Sequence, residues 1–119
     1  MARTLFEKLD VYKLSEQLAD LVWNIVIKWD VFTRDTVGYQ LVRACDSIGA
    51  NIAEGFGRGS SIDNRRFVKI ARGSLFETKH WLRRAVKRKL LKENEIKSIK
   101  SIIDELSPRI SAYINSLVK

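Results

Sequence analysis

The clearest helical pattern lies near the end of the chain, where residues 93–118 read ENEIKSIKSIIDELSPRISAYINSLV. Apolar side chains recur there at every third or fourth position, which places them on one face of an α-helix. That face consists of Ile96, Ile99, Ile103, Leu106, Ile110, Tyr113, Ile114 and Leu117. Pro108 lies inside the stretch and cannot donate a backbone hydrogen bond, so we expect a kink or local break near Leu106.

The same periodicity appears in three earlier stretches, at about residues 10–29, 36–55 and 61–89, and no stretch alternates as a strand does. In the third helix the predicted inward side chains are Phe67, Ile70, Ala71, Trp81, Leu82 and Ala85. Thr33 or Asp35 is the expected cap of the second helix, and Ser60 or Ser61 that of the third. Short connections favour antiparallel neighbours, so the sequence predicts one domain over residues 1–119, an all-α, up-down four-helix bundle.

Positive charge is concentrated in one part of this basic chain. The 119 residues contain 22 Lys and Arg against 14 Asp and Glu, a net charge of +8. Residues 58–92 contain twelve of the basic residues and only two acidic ones, Asp63 and Glu77, for a local charge of +10. This asymmetry indicates a polyanionic partner.

Several classes of function lack the residues they need. One cysteine, Cys45, cannot form an internal disulfide, and with one histidine, His80, it cannot build a zinc site alone. His80 is expected near the basic face of the third helix and away from the interior, so the sequence offers no Ser-His-Asp or Cys-His arrangement. Glu77 and His80 have the Glu-x-x-His spacing of di-iron bundles, but such a site needs two such pairs and further carboxylates. We expect no enzyme activity, catalytic residue, cofactor or metal.

The Gly-rich run at 55–59 follows a helix and lacks the Lys-Ser/Thr ending of a phosphate-binding loop, so it reads as a helix terminator. The chain shows neither a signal-peptide core nor an apolar run of membrane-spanning length. We therefore expect a cytoplasmic protein with no membrane partner.

The third helix carries the candidate nucleic-acid site. Six cations fall along one line of this helix and are expected to face away from its apolar residues, with an aromatic ring among them. The site comprises Arg65, Lys69, Arg72, Phe76, Lys79, Arg83 and Lys87. Aligned cations neutralise successive phosphates and an exposed ring stacks on a base. The alternative is a solvated face that keeps the helix soluble, although such faces usually contain acidic partners.

A second apolar stripe on the first helix suggests self-association. Tyr12, Trp23 and Ile27, with Ala19 and Val26, project opposite the expected core stripe, and a helix that is apolar on two sides is usually buried on two sides. Scattered surface apolar residues are the alternative. Gly73 leaves a notch on the third helix where another helix, from the same chain or a neighbour, is expected to approach closely.

A polar group on the second helix has two interpretations. Gln40, Arg43, Ser47, Asn51 and Glu54 share one side of this helix and could form a hydrogen-bonded ladder. A structural network that fixes helix register or a subunit contact is the favoured interpretation, and a ligand site is the alternative.

These residues also carry a family resemblance. The runs YQLVRA (39–44), Ser47-Ile48 and ANIAEG (50–55) resemble the signature of the S23, or 23S rRNA intervening-sequence, proteins of bacteria. The later run IARGSL (70–75) and the opening FEKLDVYK (6–13) are similar to the same family. The resemblance implies a four-helix bundle that assembles into a ring, typically a homopentamer, in the bacterial cytoplasm. It also implies kinship with the nucleic-acid-binding accessory subunits of diversity-generating retroelements.

Two functions follow as hypotheses. The first is a non-enzymatic, oligomeric module that binds RNA or DNA through the cations of the third helix. The second is an oligomeric scaffold whose positive face receives an acidic protein partner without any nucleic-acid role.

Overall fold

The computed structural model describes residues 6–117, and every regular element in that range is helical. In order, the elements are a 3₁₀ turn at Phe6–Lys8, α1 at Asp10–Val26, α2 at Val31–Thr33, a π-helical segment at Arg34–Gly38, α3 at Tyr39–Phe56, α4 at Ser61–Lys87 and α5 at Glu93–Ser116. The short α2, the π segment and α3 follow one another without a gap and together form the second long helix. The prediction of an all-α chain with four long helices is confirmed, and the predicted third and fourth helices are α4 and α5.

The four long helices surround one apolar core. Helix α1 packs against α3 and α5, and α4 packs against the same two neighbours, so the helices follow the cyclic order α1, α3, α4, α5. Near the end of α5, Arg109 pairs with Asp10 at the start of α1 at 2.9 Å, as antiparallel neighbours do. In this arrangement the side formed by α1 and α3 lies opposite the side formed by α4 and α5.

The start of the second helix differs from the prediction. It begins at Val31 rather than near residue 36, because the Asp30 carboxylate caps it by accepting a 2.9 Å hydrogen bond from the Thr33 backbone N–H. The expected cap residues Thr33 and Asp35 lie inside the helix. The sequence did not indicate Asp30 as the cap because it directly follows Trp29, the predicted last residue of the first helix.

Two glycines allow close contacts between helices. A Cβ atom on Gly38, in the π segment, would lie 2.6 Å from Val26 Cγ1 of α1. A Cβ atom on Gly55 would lie 2.9 Å from Phe67 Cβ and 3.0 Å from the carbonyl oxygen of Asn64, both on α4. Contacts this short exclude any larger side chain unless the helices separate.

Helix α5 continues through Pro108, so the local break expected near Leu106 is absent. Pro108 is exposed and lies on the outer side of the helix, where the missing backbone donor is tolerated.

The inward face of α4 is rotated relative to the prediction. The buried side chains are Val68, Ala71, Leu75, Thr78, Leu82 and Ala85. Ile70 is 44% exposed instead of inward, and Phe67 and Trp81 are only partly buried. The buried Thr78 hydroxyl donates to the Ser74 carbonyl, which lets a polar residue occupy a core position that an apolar pattern does not reveal.

Candidate nucleic-acid interface

The six predicted cations lie along one line of α4, and two of them, Lys79 and Arg83, lie beside α5. They do not point directly away from the core as expected, because the inward face is rotated. Lys79 Nζ donates to Ser107 Oγ of α5 at 3.2 Å, which fixes the direction of the row. Arg65, Arg72 and Lys79 are partly buried, whereas Lys69, Arg83 and Lys87 are exposed. The structure thus brings the six into one row along α4.

This row has no acidic partners within residues 6–117. None of its six cations forms an ion pair with a described residue. The two acids of α4 point elsewhere: Asp63 lies 3.6 Å from Arg66, and Glu77 accepts a 3.3 Å hydrogen bond from the Trp81 indole. The positive charges are therefore not neutralised locally, and a polyanion can approach them.

Phe76 is the aromatic member of the row. Its ring is 61% exposed, and the Lys79 ammonium lies 4.9 Å from the ring centroid. A ring held next to a cation at the surface offers a stacking face for a base, with a positive charge for the adjoining phosphate.

An acidic cluster lies on the opposite side of the bundle. Glu16, Asp20 and Asp46 line a shallow cavity of about 310 Å³ between α1 and α3. Partial burial raises the pKa of the Asp46 carboxyl, and the charge of Asp20 adds to the effect. The cation row of α4 and this acidic cluster of α1 and α3 therefore lie on different sides of the bundle.

Cys45 lies next to this acidic cavity but in the core. Burial, together with the charge of Asp46, raises the pKa of its thiol to about 12, so the thiol stays protonated at neutral pH. A protonated, buried thiol is a poor nucleophile, and Cys45 acts as a small core residue.

No group of three or more His, Cys, Asp or Glu side chains that could hold a metal ion occurs in the described range. His80, the single histidine, lies exposed on α4 with its ring edge-on to Trp81, at 4.8 Å between centroids.

The polar group on the second helix forms a shorter network than expected. Asn51 donates to the Ser47 carbonyl at 2.8 Å, and Ser74 of α4 donates to Ser47 Oγ at 3.1 Å, which joins α3 to α4. Glu54 instead pairs with Arg58. Arg43 and Gln40 make no hydrogen bond to this network within the described chain. The predicted ladder is therefore wrong for its two end residues, because neither Arg43 nor Glu54 hydrogen-bonds to Ser47 or Asn51 within the described chain.

The predicted outer stripe of α1 divides into two parts. Trp23 and Ile27 are 52% and 48% exposed, and with Tyr39 they line an apolar groove of about 610 Å³ between α1 and the second helix. Tyr12 does not belong to this exposed surface: it packs on the core and meets the Phe6 ring at 5.1 Å. Ala19 and Val26 also turn inward, the latter because Gly38 lets the second helix approach it.

Gly73 is exposed, and no atom of the described chain lies within 4 Å of the position its Cβ would occupy. The sequence left open a close approach by a helix of the same chain or of a neighbour, and no helix of the same chain approaches Gly73 within residues 6–117. The notch is open to a neighbouring molecule.

Family membership follows from comparison with known proteins. The model of the 23S rRNA-intervening sequence protein family matches residues 7–112. The chain belongs to this family. The match includes all four long helices up to the last turn of α5, together with the cation row and the apolar groove.

A solved structure of a protein from the S23 ribosomal protein family shows the same fold. It is a protein of unknown function from the S23 ribosomal protein family of Bacteroides thetaiotaomicron VPI-5482, with a TM-score of 0.76 and 24% sequence identity. The alignment covers 87% of this chain and 97% of that one. No curated protein matches the chain.

Helices long and apolar enough to cross a membrane do not occur among residues 6–117.

One feature of this surface was missed from the sequence. Between α4 and α5 an aliphatic slot of about 220 Å³ opens beside Lys79 and Arg83, with Lys100 of α5 on its other rim. The pairing of α4 with α5 creates it, so no periodicity within either helix reveals it. In the sequence, the slot is indicated only weakly, by Val86, an apolar residue between the cations Arg83 and Lys87.

Proposed function

We propose that the protein is a non-enzymatic, self-associating module of the bacterial cytoplasm that binds RNA or DNA through the cation row of α4. The observation that carries the proposal is the row itself: six aligned cations without an ion pair in the described chain. Like charges on one helix face repel one another and oppose folding slightly, and phosphates relieve that repulsion.

Single strands suit this surface better than duplexes. Phe76 is exposed in the middle of the row, and stacking on such a ring requires an unpaired base. We propose that the row contacts phosphates rather than base edges, so that binding tolerates many sequences.

Self-association is proposed to use the groove at Trp23, Ile27 and Tyr39. Exposed aromatic side chains around an apolar groove are typical anchors of protein interfaces. The groove lies on the α1/α3 side, so the cation row of α4 does not line it. In a ring-like homo-oligomer, for which the family resemblance suggests five subunits, the cation row repeats and weak phosphate contacts add by avidity.

Fluorescence anisotropy with a labelled single-stranded RNA tests the proposal. The Lys69→Gln/Arg72→Gln variant removes two charges of the row, and Lys13→Gln/Lys28→Gln removes two exposed charges of the first helix region. We expect the first variant to bind RNA about tenfold more weakly than wild type, whatever the RNA sequence, and the second to bind within about twofold. Equal RNA affinities for the two variants would contradict the proposal.

A further inference from the structure

The slot between α4 and α5 differs chemically from the rest of the cation row. Its walls and floor are aliphatic and consist of Leu82, Val86, Leu91, Ile96, Ile99 and Ile103. Val86 is 46% exposed, and several of the others are only partly buried, so the chain leaves this apolar surface in contact with water. Covering it with another apolar group is favourable.

Cations flank the slot on both sides. Lys79 and Arg83 rise from α4, and Lys100 rises from α5. Lys100 pairs with its neighbour Asp104 at 2.6 Å, and Lys79 bonds only the neutral Ser107, which leaves Arg83 as the rim charge without a described partner. The slot thus presents an apolar centre with positive charge along its α4 edge, at Lys79 and Arg83, and the Lys100–Asp104 ion pair on its α5 edge.

A nucleobase does not fit this chemistry. The edges of a base carry hydrogen-bond donors and acceptors, and burying them against six aliphatic side chains leaves them unsatisfied at a cost. Stacking also requires a flat aromatic partner, and the slot contains none. Phosphate contacts need the cations but gain nothing from the aliphatic floor.

We infer that the slot docks an acidic amphipathic helix of a partner protein. Such a helix places Leu or Ile side chains at positions i, i+3 and i+4 into the slot, and Glu or Asp on its flank nearer α4 meets Lys79 and Arg83. The Lys79 and Arg83 end of the cation row then serves two partners in turn: it meets phosphates when nucleic acid is bound and the acidic helix when the partner protein is docked. The inference goes beyond the proposed nucleic-acid binding and does not depend on it.

The test uses a synthetic probe, a 16-residue amidated peptide whose leucines form one helical stripe and whose other residues are glutamates. Two control peptides replace Leu by Ser or Glu by Gln. In methyl NMR spectra of the full chain, we expect the probe to shift the signals of Leu82, Ile99 and Ile103, and both control peptides to bind several-fold more weakly.

Two matched protein variants localise the site. Val86→Glu places a carboxylate at the slot, and Val31→Glu does so at an exposed apolar position outside it. We expect Val86→Glu to weaken peptide binding about tenfold and Val31→Glu to leave it unchanged. Equal peptide affinities for the two variants, or a Ser-containing peptide that binds as well as the probe, would overturn the inference.

Single-stranded RNA serves as the competing ligand in the same spectra. If RNA shifts the slot methyl signals more than the peptide does, the slot takes a base and the inference fails. The Lys69→Gln/Arg72→Gln variant should keep its peptide affinity while losing RNA affinity. Failure of peptide docking is therefore distinguishable from failure of nucleic-acid binding.

Discussion

At the scale of single residues, Gly55 marks the closest approach between α3 and α4. An added Cβ would lie 2.9 Å from Phe67 Cβ and 3.0 Å from the backbone oxygen of Asn64, neither of which a rotamer change can move. We expect Gly55→Ala to lower the free energy of unfolding by about 1–3 kcal/mol, the usual cost of overpacking, as measured by urea denaturation.

Gly73→Ala is the matched control. Gly73 also lies in a helix, but its Cβ position is open, so alanine gains helix propensity of about 0.5–1 kcal/mol without a clash. If Gly55→Ala and Gly73→Ala change the free energy of unfolding in the same direction, the different packing assigned to these two glycines is contradicted. A loss of stability in Gly73→Ala that appears only at high protein concentration would place a neighbouring subunit in the notch.

Asp46 makes stability depend on pH in a defined direction. Because its pKa is raised in the folded state, its charged form is disfavoured there, and stability falls as pH rises from the unfolded pKa of about 3.9 through the folded value. Asp46→Asn should therefore be more stable than wild type at neutral pH, and this gain should shrink as pH falls toward 3.9. Urea midpoints of both proteins across this range check it, and a gain that is independent of pH would contradict the assignment.

At the scale of elements, the start of the second helix depends on one capping residue. The Asp30 carboxylate accepts hydrogen bonds from both the backbone N–H and the hydroxyl of Thr33, and the backbone bond is the main cause of its lowered pKa. Asp30→Ala should lower the thermal midpoint, and Asp35→Ala, one turn further along, should change it less. Since the pKa of Asp30 is lowered, its contribution is present above the unfolded pKa and is lost as pH falls through the folded value. Equal thermal midpoints for the two variants at neutral pH would rule out Asp30 as the cap.

The helices themselves could be predicted because their apolar periodicity is strong. Predicted bounds agree with the structure to within a few residues for α1, α4 and α5, although residue 118 lies outside the described range. The π segment at Arg34–Gly38 could not be predicted from the periodicity, and neither could the close approach of its last residue, Gly38, to Val26 of α1. The rotation of α4 was missed for a related reason: its core face contains the hydroxyl of Thr78, satisfied within the helix, while Ile70 stays outside.

At the scale of the whole molecule, the apolar groove between α1 and the second helix is the proposed contact between subunits. Trp23→Asp places a charge where an aromatic anchor is expected, so it should shift the protein toward monomer in light scattering. Phe32→Asp is the control, because Phe32 is 77% exposed but does not line the groove. A wild-type protein that is monomeric at tens of micromolar, a concentration on the order of ordinary assay conditions, would contradict self-association through this groove.

The sequence places cations in a row on α4, but it does not specify which neighbour they face. That depends on the packing of α4 against α5, seen in the bond from Lys79 to Ser107. The same packing brings Lys100 to the row and creates the aliphatic slot, two features that the pattern of a single helix does not contain. The bond between Asn51 and Ser47 could be predicted because both lie on one helix, whereas the bond from Ser74 could not, because Ser74 belongs to a different helix.

If the cation row of α4 binds nucleic-acid phosphates, RNA affinity must fall steeply as the salt concentration rises. Each phosphate contact with a single strand contributes about 0.7 to the slope of log affinity against log salt, so six cations predict a slope of about −4. Lys69→Gln/Arg72→Gln should reduce the steepness by about 1.4, and Lys13→Gln/Lys28→Gln should leave it unchanged. A wild-type slope near zero, or the same slope for all three proteins, would contradict the account.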